Sequence, residues 1–306
     1  MKKVVFIIAF VGLSFSISSQ NQQYTGALLW KISGKDLKKP SYILGTHHAV
    51  PVSFLDSIPG LMQTLTQVKQ VVGEIDLLNI AKITSAAMKY SLMPAGYSYK
   101  SMLSDHEYKT LDRELTNHVG MGLDMLGQLH PTTIYTLLIQ MICRELFPEM
   151  QEPDFETIDM YIQKIARSQK KNIMGLETAE EQFEILYNTE PIETQLKTVL
   201  CVVKNMDSGL DALIELTEMY YQKQLDKMAE LLIIIDDNVE DNDCTLSQSY
   251  LDALVCKRNA NWLTILPQIM KKKSSLIAVG AGHLAGECGV LQGLSKMGYT
   301  VEPVVE

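Results

Sequence analysis

Two short stretches of like form, Gly45-Thr-His-His48 and Gly280-Ala-Gly-His283, constrain the fold more than any other feature of the chain. Each closes a brief apolar run, Ser41-Tyr-Ile-Leu-Gly45 and Ser275-Leu-Ile-Ala-Val279, and 235 residues separate His48 from His283. Runs this short and this apolar read as buried strands rather than helices. A strand apolar along its whole length needs cover on both faces and neighbours beside it. The two ends of the chain are therefore expected to build one sheet together.

The remaining pattern supports this. Ala27-Leu-Leu-Trp-Lys-Ile-Ser33 precedes the Ser41 run across a polar Gly-Lys-Asp-Leu-Lys-Lys-Pro turn, which predicts a hairpin. A helix over 53–69 and a strand Val71-Val-Gly-Glu-Ile75 follow, completing a strand–helix–strand unit. Capping boxes at Ser104/Glu107 and Thr178/Glu181 open helices, as does His130-Pro131. A helix over 155–168 leads to a buried strand Asn172–Leu176, and helices from Pro191 to Arg258 break near Ser208 and in the acidic run 236–243. A helix through Trp262 to Lys272 comes next. Tyr299–Pro303 forms an edge strand, because Pro303 cannot donate to a ladder. The expected fold class is α/β, a mixed central sheet made by the N- and C-terminal segments, with a large helical insertion over roughly 78–260.

Residues 1–19 stand apart. Lys2 and Lys3, the apolar run Val4–Ile17 and the small Ser18-Ser19 describe a secretory signal peptide, with an uncleaved anchor as runner-up. The run is short for a membrane span. The expectation is an exported protein, periplasmic or secreted, whose domain covers 20–306 and does not insert stably in a membrane. Five cysteines without a CxxC exclude a thiol-redox pair and a cysteine zinc knuckle, and a Cys244–Cys256 bridge is conceivable. With 36 acidic against 27 basic residues, the net charge of −9 excludes a dedicated nucleic-acid binder.

Ligand sites in α/β sheets lie beyond the carboxyl ends of strands, where His48, His283, Glu74 and Glu177 all fall. Two imidazoles and carboxylates there suit either a metal site or a metal-free acid/base site. His47 sits next to His48, but only His48 has the GxxH spacing. On an extended segment His47 points the other way. HExxH, GxSxG and a P-loop are absent, and the acidic run lacks the central glycine of a calcium loop. Capping roles suffice for His106, His118 and His130.

The order Leu28-Leu-Trp30, Gly45-Thr-His-His48, Gly73-Glu74, Gly175-Leu-Glu-Thr178 with Glu181-Gln182, Arg258-Asn259 and Gly280-Ala-Gly-His283 resembles the TraB/GumN family, which includes the TIKI proteases that act on Wnt proteins. The resemblance spans essentially the whole chain after residue 19. It implies a metal-dependent hydrolase cleaving an amide or peptide bond, with His48, His283 and Glu74 holding a divalent transition metal such as Zn, Mn or Co. Glu74 would be either a ligand or the general base. Arg258 would pair with Glu177 or bind a substrate carboxylate, with a plain surface role as a third alternative. The expected partner is a peptide or small-molecule substrate. Broader relatives include erythromycin esterases and a haem-binding protein, so two other readings stay open: a non-catalytic peptide- or haem-binding protein, and a metal-free His/Glu esterase.

Overall fold

A computed structural model describes residues 24–234 and 247–305. The expected signal segment, the acidic run 236–243 and Cys244 lie outside the described residues. The strands are β1 Leu29–Ser33, β2 Ser41–Thr46, β3 Gln70–Gly73, β4 Asn172–Gly175, β5 Ser275–Gly280 and β6 Thr300–Pro303. They form one mixed sheet in the order β4-β3-β5-β2-β1-β6. The four strands from β4 to β2 run parallel, and β1 is antiparallel to both β2 and β6.

The two strands that carry the paired motifs are direct neighbours, with Gly45 opposite Val279 and Thr46 opposite Gly280. On the other side β5 pairs with β3, whose Gly73 stands opposite Gly175 of β4. Parallel pairing puts the carboxyl ends of all four strands on one edge. There lie His48, Glu74, Glu177 and His283. β5 is covered by strands on both sides, and its first five residues are buried, which explains its unbroken apolar run.

Some local expectations need correction. The helix over 53–69 is two pieces, a 3-10 turn Val52–Ser57 and a helix Leu61–Gln67. Pro59-Gly60 separates them, and Gly60 takes a left-handed φ of +69° that would strain other residues. β4 is an edge strand with partly exposed side chains, since only β3 flanks it. The break expected near Ser208 falls at Asn205, between the helices Ile192–Lys204 and Met206–Tyr221. Cys256 is bonded to Cys288 instead of Cys244. Both capping boxes form as expected.

The largest apolar cluster centres on the sheet and includes Trp30, Leu44, Val72, Ile277 and Trp262. A second lies within the helical insertion, around Leu111, Leu115, Ile134, Leu138 and Val199. Among the described residues no helix is long and apolar enough to cross a membrane.

Candidate active site

The chain turns sharply at the end of β3. A Cβ on Gly73 would stand 2.4 Å from Nε2 of Gln163 and 2.9 Å from the Ile75 carbonyl oxygen, so only glycine fits. Gln163, buried on the helix Ile158–Ser168, clamps this turn: Nε2 donates to the Ile75 carbonyl at 3.0 Å and Oε1 accepts from the Leu77 N–H at 2.9 Å. Glu74 is thereby aimed across the ends of β5 and β4. The Glu177 N–H donates to the Glu74 carbonyl at 2.9 Å, so the two acidic residues leave the sheet side by side.

Arg258 joins them. It opens the helix Arg258–Lys272, directly after a stretch of π-helix at Asp252–Lys257, a distortion often found at functional sites. Its Nε donates to Oε1 and Oε2 of Glu177 at 3.0 and 3.2 Å, and Nη2 reaches Glu177 Oε1 at 2.6 Å and Glu74 Oε2 at 2.5 Å. Nη1 donates to Nε2 of His283 at 3.1 Å. Gln182 bridges the carboxylates, donating to each at 3.1 Å. The Gly280 N–H completes the shell of Glu74 with a bond to Oε1 at 2.9 Å.

His283 is held from the same helix. Nδ1 lies 2.8 Å from Oδ1 of Asn259, whose Nδ2 donates to the carbonyls of His283 and Cys288. A guanidinium can only donate, so Nε2 accepts and Nδ1 carries the proton. Trp262, one turn on, lies under the imidazole with ring centroids 4.5 Å apart and donates Nε1 to Glu177 at 3.3 Å. The Cys256–Cys288 bridge ties the approach to Arg258 to the segment after His283.

Burial lowers the His283 pKa to about 4, and Arg258 adds to this against the pull of Glu74, so the ring is neutral at pH 7. Burial pushes Glu74 the other way, upward. The charges of His283 and Arg258 and the Gly280 hydrogen bond outweigh it and bring its pKa down to about 2.

His48 occupies a different place. Its side chain is 80% exposed at the end of β2, with Nδ1 3.5 Å from Oδ2 of Asp159. Asp159, in the first turn of the helix Ile158–Ser168, accepts a hydrogen bond from Thr46 Oγ1 at 2.8 Å. Burial pushes its carboxyl above the ordinary range, against the pull of His48 and Thr46. His47 packs on Tyr220, its ring centroid 5.2 Å from that of Tyr220, and burial followed by the charge of His48 lowers its pKa to about 4.

A cavity of about 800 Å³ opens over this edge. Thr46, His47, His48 and Gly280–Gly282 form one side of it. The insertion forms the other, largely apolar side, with Tyr135, Ile139, Cys143, Met150, Leu213 and Leu216. The structure thus gathers Glu74, Glu177, Arg258 and His283 into one network, and sets His48 at the cavity beside Asp159.

The TraB/PrgY/gumN family model matches residues 28–303. The chain belongs to this family. No curated protein and no solved structure matches the chain.

For a TraB/PrgY/gumN chain the donor set bears on the metal expected from the sequence. Glu74 Oε1 and His283 Nε2 lie 3.9 Å apart, a separation that two ligands of one ion can have, but the guanidinium of Arg258 already engages both side chains. Among the described residues no group of three His, Cys, Asp or Glu side chains is close enough to hold a metal ion. As arranged, these residues do not fit a metal between Glu74 and His283. Gln182 and Asn259 stand in the sequence motifs but had no role assigned there, and Trp262 lies one helical turn from Arg258. Asp159 had no such signal.

Proposed function

We propose that the protein is a hydrolase of an amide, peptide or ester bond, working by acid–base chemistry at the carboxyl edge of the sheet. One observation carries the reading: Gly280 gives its N–H to Glu74 and also lines the cavity that His48 borders. The charged network thereby fixes the backbone that the substrate meets. Of the two imidazoles that line that space, His47 is packed on Tyr220, whereas His48 is exposed and takes the proton of the attacking water. Glu74, Arg258 and His283 hold the end of β5 rigid beneath that space through the Gly280 N–H. The apolar wall implies a substrate with a sizeable apolar group next to the bond that is cut. Export is part of the proposal, supported by residues 1–19 and by a Cys256–Cys288 disulfide of the kind that persists in oxidising compartments.

A metal-dependent route, as the family resemblance implies, is the second reading. In its favour is charge: Glu74, Glu177 and Asp159 outnumber Arg258, and a divalent ion would balance them. When bound, such an ion would polarise the carbonyl and acidify a water. Arg258 would first have to leave Glu74 and His283. Elemental analysis of the purified protein, paired with turnover of a panel of fluorogenic acyl esters and amides before and after chelation, separates the readings. Turnover that survives chelation in metal-free protein supports the acid–base route. A stoichiometric metal whose removal abolishes turnover supports the second reading, and no turnover under either condition removes both.

A further inference from the structure

Asp159 is a buried carboxylate that the fold leaves half satisfied. Oδ1 is held by Thr46, but Oδ2 is shut off from solvent and has no hydrogen-bond partner among the described residues. A buried charge acceptor without a donor is costly, and such atoms mark places where a further contact is to be made. Capping does not explain the residue. Thr157 already caps the helix, its side chain accepting from the Met160 N–H at 3.4 Å. The group facing Oδ2 is Nδ1 of His48, at 3.5 Å. A charged hydrogen bond of this type is about 2.8 Å long. Closing the gap takes a shift of about 0.7 Å, and the exposed His48 ring has room for it.

We propose that Asp159 is the positioning residue of His48: Oδ2 accepts the Nδ1–H, fixes that tautomer, and leaves the Nε2 lone pair facing the cavity. Thr46 anchors the carboxylate from the same strand end, and the N-terminal turn of the helix favours its charge. The arrangement joins two elements 111 residues apart into a dyad of the kind in which a buried carboxylate orients a histidine base. It deepens the hydrolase reading and rests on it for its consequence in turnover, but not for its geometry.

The test is a long-range ¹H–¹⁵N spectrum of the full protein labelled at histidine, with His48 assigned from its absence in His48→Gln. The wild-type protein is expected to show His48 as the Nδ1–H tautomer. In Asp159→Asn the amide donates to Nδ1, and the tautomer switches to Nε2–H. For a substrate found in the acyl panel, kcat falls at least a hundredfold in Asp159→Asn with KM within threefold, and Asp159→Glu restores part of it. A mixed or Nε2–H tautomer in the wild-type protein overturns the proposal without any variant, as does a tautomer unchanged in folded Asp159→Asn. A tautomer switch in a protein that hydrolyses nothing supports the dyad and removes the hydrolase reading instead.

Discussion

Replacing Arg258 with methionine tests whether the buried network holds the strand ends. Arg258 is 7% exposed and is the cation that Glu74 and Glu177 share, through hydrogen bonds between 2.5 and 3.2 Å. Methionine keeps much of the apolar stem but loses the guanidinium that lies 4.8 Å from the centre of the Trp262 ring, and leaves both carboxylates with Gln182, the Gly280 N–H and the Trp262 indole as donors. The gap between the ordinary Glu pKa of 4.5 and the value of about 2 in the fold corresponds to about 3 kcal/mol, part of it owed to His283 and Gly280. The Glu177 pairing is lost as well. Breaking a buried ion pair from one side costs about 3–5 kcal/mol, and that is the destabilisation expected by urea unfolding. Neutralising the stranded acids as well, in Arg258→Met/Glu74→Gln/Glu177→Gln, should recover at least half. A loss below about 1 kcal/mol for the single variant, or a triple variant no more stable than the single, refutes the reasoning.

Gly73→Ala forces a Cβ onto Gln163 and the Ile75 carbonyl and should cost about 1–3 kcal/mol, read as a lower thermal midpoint. His283 has a folded pKa of about 4 against 6.5, so the unfolded chain takes up the proton first: the stability from its neutral form is complete above pH 6.5 and lost as pH falls to 4. Unfolding free energies across that window should fall by about 3 kcal/mol, and His283→Gln should flatten the slope. Reducing Cys256–Cys288, which closes a separation of 32 residues, should cost about 3–4 kcal/mol by the chain-entropy estimate and loosen Asn259 from the Cys288 carbonyl, seen as faster amide exchange at His283.

What could be read from the sequence was local or strongly patterned. The apolar runs of β2 and β5 announce buried strands because nothing else buries so short and so apolar a segment, and the capping boxes at Ser104 and Thr178 form because their partners lie three residues away. Glu74 and His283 were legible through the glycines beside them, and the Arg258–Glu177 pair as one of three alternatives, of which burial removes the surface role. Asp159 was not. An acidic residue in a first helical turn ordinarily serves the helix dipole, and only the packing of Ile158–Ser168 against the sheet brings it to His48. The disulfide partner of Cys256 was illegible for a like reason, since pairing depends on distance in space. Likewise the sequence set His48 and His283 at equivalent strand ends, and packing alone buries one under Trp262 and leaves the other exposed.

The central claim is that this strand edge, with His48 at its cavity, is a hydrolytic centre. Turnover of apolar acyl esters and amides by wild-type and His48→Ala protein, compared at matched circular dichroism spectra, tests it most directly. The account predicts measurable hydrolysis by the wild-type protein and a loss of at least a hundredfold in kcat/KM for the variant. Equal turnover by the two proteins would contradict it.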